Sequence, residues 1–216
     1  MTSSSLQAEG QLSIWTDVDP AHESEFNLWY NREHMQERMA IQGFRRARRF
    51  RALGLCPLPY LALYDTDSVQ VFRSQAYQQA LAQQTDWSLR NLAHMRDTQR
   101  RVGEVIVDLG EGEGGTLAMF VMANTALLAC DAMPSMQTVA ERPKVVRVSL
   151  LRTDVSLSAP LSAAAPAAQP DLVVMVEATD AEAAFDAAGM LARQIPADQA
   201  SVFYTFQAMI RMGRSE

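Results

Sequence analysis

Residues 25–50 read EFNLWYNREHMQERMAIQGFRRARRF, an amphipathic helix, a glycine turn and an arginine-rich strand in one stretch. Asp19 is placed to cap the helix, whose first turn tolerates Pro20. Glu23 and Glu25 put negative charge where the helix dipole favours it. Phe26, Tyr30 and His34 then follow at intervals of four, so they share one stripe, with Trp29 and Glu33 on its flank. Arg32, Gln36 and Arg38 point elsewhere and are expected in water. Gly43 is placed as a helix stop, and the strand after it carries Arg45, Arg46, Arg48, Arg49 and Arg51. A histidine on an apolar stripe is commonly a hydrogen-bonded core residue. Here it stands among carboxylates and next to an arginine run, in an otherwise apolar chain.

Outward from this stretch, the elements repeat. Residues 11–18 alternate as a strand, with Leu12, Ile14, Thr16 and Val18 on one face. Strands are expected at residues 44–52 and 60–64, joined by the turn Gly54-Leu55-Cys56-Pro57. Ser68 is placed to cap a second helix with Val69, Phe72, Ala76 and Ala80 inward. The run TDWSLRNLAHMRDTQRR reads as a further helix or an ordered loop, and residues 102–109 as a strand. After the joint Gly110-Glu111-Gly112-Glu113-Gly114-Gly115 the order returns. Strands are expected at 117–122, 145–152, 172–177 and 202–212, with a helical region at 125–141 broken by Pro134 and a helix capped by Asp180. The expected units are a flexible tail at 1–10, a half carrying the candidate site at 11–112, and a degenerate half at 113–216. Within the second half the Ala/Pro/Ser-rich residues 155–170 read as a mobile loop.

Each half is a β-α-β-β-α-β unit, ferredoxin-like in its order. A sheet covered by helices on one side only should alternate apolar and polar residues. Residues 172–176 and 202–210 are apolar on both faces, so both faces should be buried. The partner available for the bare face of one half is the bare face of the other. The fold class expected is therefore α+β: tandem ferredoxin-like units closing an intrachain barrel, a pseudo-dimer within one chain, with further association into a homodimer left open.

Composition narrows the function. Hydrophobic residues make up 48% of 216, and 19 basic against 25 acidic residues give a net charge of −6. Such a balance argues against a general nucleic-acid partner. No run approaches the length of a membrane span, and residues 1–10 lack the basic and apolar regions of a signal peptide. Cys56 and Cys130 form neither a disulfide framework nor a metal-ligand spacing, which fits a reducing, cytoplasmic setting. Nucleophile-elbow, phosphate-loop and dinucleotide motifs are absent.

Two ferredoxin-like units meeting face to face resemble the dimeric α+β barrel superfamily, whose units usually come from two subunits. The motif Trp29-Tyr30-x-x-x-His34 resembles the aromatic-aromatic-x-x-x-His signature of the ethyl tert-butyl ether degradation protein family, with Gln36 where that family commonly has proline. The superfamily includes isomerases, dehydratases, cofactor-independent monooxygenases and haem-linked enzymes, so fold alone does not choose.

The residues themselves suit proton transfer. A histidine of near-neutral pKa can move a proton to or from carbon or oxygen. An arginine can hold a carboxylate or stabilise an enolate. A strand alternates, so about half of the arginines can face one cavity. Phe44, Arg46, Arg48 and Phe50 should share a face, and Arg48 is the choice. The expected site is His34 and Arg48 as catalytic residues, with Trp29, Tyr30, Tyr64, Trp87 and Asn91 around a small-molecule ligand. No metal and no cofactor are expected, haem on His34 being a lesser alternative. Residues 85–101, with Trp87, Asn91 and His94, would form either a lid or a surface helix. The expected activity is that of a cofactor-independent enzyme on a small cyclic or aromatic compound. The other reading is a non-catalytic binding or structural barrel.

Overall fold

The computed structural model describes residues 8–123, 129–160, 168–195 and 202–213. The first half runs β1 (Gly10–Val18), α1 (Glu23–Trp29), a π-turn (Tyr30–His34), α2 (Met35–Ala40), β2 (Phe44–Ala52), β3 (Tyr60–Thr66), α3 (Gln75–Ala82), α4 (Asp86–Leu92) and β4 (Met95–Leu109). The second runs β5 (Thr116–Ala123), α5 (Ala129–Ala140), β6 (Val145–Thr153), β7 (Asp171–Ala178), α6 (Ala181–Ala192) and β8 (Tyr204–Gly213).

The eight strands close into one barrel in the order β1-β3-β2-β8-β5-β7-β6-β4. Within each half the last strand lies beside the first, the arrangement of a ferredoxin-like sheet. Closure comes from antiparallel pairing of β2 with β8 and of β4 with β6. The chain is thus a pseudo-dimeric α+β barrel. Strand β7 is buried along its whole length, as its two-sided apolar pattern implies, but β8 is not: only Thr205 and Phe206 are buried, and Gln207 and Met209 are exposed, so the apolar run at 202–210 does not mark two covered faces. Strand β4 serves both halves: it pairs with β1 up to Glu104 and with β6 from Gly103 onward. A Cβ on Gly103 would stand 1.9 Å from the Arg152 carbonyl oxygen, so only glycine allows the two halves to meet there.

Alternation sorts the core into layers. Inside the barrel, Trp15, Phe50, Leu61, Leu63, Leu117, Met119, Val173, Met175 and Phe206 pack together. Outside it, one cluster lies under α1–α4 and another under α5 and α6. In β2 this sorting depends on a bulge. Phe44 pairs with Thr66 and Arg46 with Asp65, so one residue of β2 is extra. The extra residue reverses the alternation. Phe44, Ala47 and Arg49 face the helices, whereas Arg46, Arg48 and Phe50 face inward. Phe44 and Arg48 therefore lie on opposite faces, contrary to strict alternation.

Several local expectations change. Ser68 makes no side-chain cap; a 3₁₀ turn follows it, and Ser74 caps α3 by accepting a hydrogen bond from Tyr77 N. The run 85–101 divides into the short helix α4, capped by Thr85, and the first part of β4. Helix α5 continues through Pro134 rather than breaking there. The helix before β2 ends at Ala40, and Gly43, at φ 93°, makes the left-handed turn into the strand. In the expected tail, residues 1–7 lie outside the described residues, but Glu9 is anchored, its carbonyl accepting from Val105 N at 2.9 Å. In the expected loop, residues 161–167 lie outside them, but the part before is tied down. Ser158 is buried and its Oγ accepts from Val102 N at 2.8 Å. Among the described residues no helix is long and apolar enough to cross a membrane.

Candidate functional site

The helix over the first sheet carries the site because it widens at the right place. Met35 N donates to Tyr30 O, five residues back, so the turn Tyr30–His34 is π-helical. Such turns recur at functional sites. Tyr30, His34 and Arg38 project from it and from α2 toward the outer face of the sheet. They roof a cavity of about 140 Å³ whose floor is Leu12 and Ile14 of β1. Tyr64 of β3, Tyr77 of α3, Gln84 just after that helix, and Arg100 of β4 complete its walls. Ser158 and Pro160, from the second half, close one end.

His34 is 8% exposed, its ring centroid 4.4 Å from Trp29, 5.0 Å from Tyr30 and 6.4 Å from Tyr64. Burial, then the neighbouring charges of Arg38 and Arg49, holds its pKa well below the usual 6.5, so the ring is neutral. Its Nδ1 is buried without a hydrogen-bond partner. Burial likewise pushes the Tyr30 phenol up and that of Tyr64 further up, so both stay protonated. Their hydroxyls adjoin, but the Tyr64 hydroxyl closes no well-aligned hydrogen bond.

Arg38 and Arg100 are 4% and 8% exposed, and among the described residues neither has a carboxylate within 4.0 Å. Arg100 is held by backbone instead: it donates to the carbonyls of Leu157 and Ala159 and to the Tyr77 hydroxyl. Arg38 Nη1, Arg100 Nε and Gln84 Oε1 are buried with no partner. Buried polar groups are nearly always satisfied, so this concentration at one cavity marks a place for a ligand. Beneath the roof Arg49 supports Tyr30, its guanidinium 4.0 Å from the ring centroid and bonded to Asn27 and Asn31.

The expected site residues divide. His34, Tyr30 and Tyr64 come together at the cavity. Trp29 stacks behind His34 and donates to Ser88 Oγ at 3.0 Å, outside the lining. Trp87 is half-buried and donates to Glu25 at 2.6 Å; Asn91 donates to the Trp87 carbonyl. Arg48 does not reach His34. The bulge in β2 turns it into the barrel, where it meets Glu177 at 2.6 Å and Asp65 at 3.5 Å. Its place at the cavity is taken by Arg38 and Arg100. Arg38, expected in water, is the next member of the spacing-four series after His34, a signal its charge obscured. Arg100 lies beside Ile14 in the register of β4 against β1. Strand alternation would have found it had 95–101 been read as strand. No sequence signal points to Ser158.

No known protein family matches the sequence, and no curated protein does. Solved structures match the fold across the chain at low identity. An anthrone oxidase-like protein is 13% identical with a TM-score of 0.64, covering 100% of this chain and 97% of its own. A candidate monooxygenase of Fusobacterium nucleatum is 8% identical with a TM-score of 0.61, covering 96% and 95%. A haem-binding protein of Thermus thermophilus is 10% identical with a TM-score of 0.54, covering 95% and 92%. Haem does not fit the site described: about 140 Å³ is far short of a porphyrin, and His34 is wedged between Trp29 and Tyr30.

Proposed function

We propose that this chain is a cofactor-independent enzyme that acts by proton transfer on a small cyclic or aromatic compound, with His34 as the base. The observation that carries this is the neutral, unpartnered Nδ1 of His34 beside an arginine that, among the described residues, has no carboxylate within 4.0 Å. The cavity is smaller than the roughly 300–1,000 Å³ of sites for drug-sized ligands, which suits one or two rings.

In this reading Leu12 and Ile14 hold the ring flat, and His34 removes a proton from a carbon or hydroxyl activated by it. The electron pair moves onto a ring oxygen as an enolate or phenolate. Arg38 lowers the basicity of His34 while the cavity is empty, because two cations would adjoin. Once negative charge develops on the substrate, the same guanidinium stabilises it and the imidazolium together. Return of the proton elsewhere on the ring gives isomerisation, and loss of hydroxide gives dehydration. If dioxygen takes up the electrons instead, one oxygen atom enters the ring and the other leaves as water, with two substrate hydrogens lost. The names of the anthrone oxidase-like and monooxygenase neighbours favour that last branch. The Trp29-Tyr30-x-x-x-His34 arrangement keeps the resemblance to the ethyl tert-butyl ether degradation family within the same reading.

The test is a panel of one- and two-ring phenols, naphthols and cyclic enones, followed by oxygen uptake and by loss of substrate absorbance. Turnover is expected for at least one compound, and His34→Gln should lower it by about a hundredfold or more without unfolding the protein. Binding without turnover across the panel would instead make the chain a small-molecule-binding barrel.

A further inference from the structure

The charge of the cavity says more than its shape. Among the described residues its lining contains two buried guanidinium groups and no aspartate or glutamate, in a chain whose net charge is −6. A buried charge is ordinarily paired. The arginines at the barrel end obey that rule: Arg46 meets Asp65 at 2.6 Å and Glu113 at 2.8 Å, and Arg48 meets Glu177. Among the described residues Arg38 and Arg100 do not, nor does Arg49, which bonds Asn27 and Asn31 instead; Arg38 and Arg100 each keep an N–H with nothing to donate to.

Their positions define the ligand. Arg100 rises from β4 opposite Ile14 and Tyr64 from β3 opposite Leu12, with β1 between them, so they stand roughly 12 Å apart at the backbone. Leu12 and Ile14 fill the interval from below, and Arg38 enters from above with His34. A flat apolar body is accommodated over β1, and an anionic oxygen at its edge is met by donors from the roof and from β4. We propose that the cavity selects a one- or two-ring compound bearing a single anionic oxygen group, a ring carboxylate or a phenolate, received by the guanidinium groups of Arg38 and Arg100. The inference deepens the proposed function by naming its substrate class, and it depends on that reading only for the location of the site.

Calorimetric titration of the full chain at low ionic strength tests it. Benzoate is compared with benzamide, and 4-nitrophenolate, at a pH where it is ionised, with 4-nitroanisole. The anion of at least one pair should bind about tenfold more tightly than its neutral counterpart, the size of a charge-assisted hydrogen bond. The pair that shows it identifies which oxyanion the site prefers. Arg38→Met should abolish the preference, and Arg100→Lys, which keeps the charge but moves the donor, should weaken it. Should Arg38→Met fail to fold, Leu81→Trp serves: it fills the cavity and should abolish binding of the anion. Equal affinity for anion and neutral ring in both pairs would overturn the inference, as would a preference that survives Arg38→Met in a folded protein or binding that survives Leu81→Trp. Anion binding with no His34-dependent turnover leaves this inference standing and removes the proposed catalysis. Turnover without anion preference does the reverse.

Discussion

His34 and Arg38 are one helical turn apart, and each sets what the other can do. Burial disfavours a charged His34 ring, and the Arg38 guanidinium beside the same cavity adds to that. Replacing Arg38 by Met should therefore raise the His34 pKa, read from the ring protons in an NMR titration. A ring whose titration is unmoved would mean that burial and Arg49 hold it neutral without Arg38. The same residue shapes acid stability. An unfolded chain protonates His34 near pH 6.5, whereas the folded protein takes that proton only well below. Between those points the unfolded state binds more protons, so stability declines as pH falls from 6.5. His34→Gln should flatten that part of the profile in denaturant titrations. Tyr64 works on the alkaline side: its raised pKa means that stability declines as pH climbs through 10.0, where the unfolded phenol ionises first.

At the scale of elements, two small irregularities aim the side chains. The π-turn at Tyr30–His34 sets α2 at its angle to α1 and so brings Arg38 over β1. Deleting the exposed Arg32 would shorten that turn by one residue and rotate α2 away from α1. The helix should persist by circular dichroism while ring-anion affinity is lost; unchanged affinity would show that the turn does not position the roof. The segment after β6 is the second device. Ser158 accepts from Val102 N at 2.8 Å and donates to the Asp154 carbonyl at 2.7 Å, pinning the second half against the first half's cavity. Ser158→Ala leaves the Val102 N–H buried without its acceptor, at a cost of about 1–3 kcal/mol. The expected signature is a lower melting temperature together with weaker ligand binding.

For the whole molecule, the barrel is a mutual cover. The inner layer draws Trp15, Phe50, Leu61 and Leu63 from the first half and Leu117, Met119, Val173 and Phe206 from the second. Residues 1–112 alone would expose that face and the free edges of β2 and β4. Light scattering should find a homodimer or aggregates; a stable, well-folded monomer would contradict the closure described. Gly103→Ala tests closure within the intact chain. The added methyl meets the Arg152 carbonyl where β4 passes from one half to the other, and overpacking of this kind typically costs about 1–3 kcal/mol.

What the sequence determined by itself is whatever depends on periodicity. The element order, repeated after Gly110-Glu111-Gly112-Glu113-Gly114-Gly115, and the strand at 172–177, apolar and buried on both faces, imply the tandem barrel, because a strand apolar on both faces needs cover on both. Intervals of four put Phe26, Tyr30 and His34 on one stripe, and their extension to Arg38 was equally present. Tertiary structure alone decided which arginines meet His34. One extra residue in β2 sends Arg48 inward, and a turn of sequence with no strand signature lays Arg100 beside Ile14. Ser158 reaches the cavity from 124 residues beyond His34 only because the barrel closes. Periodicity is a property of neighbours in the chain; a register shift or a distant loop at a cavity wall is a property of what packs against them, and no local pattern encodes it.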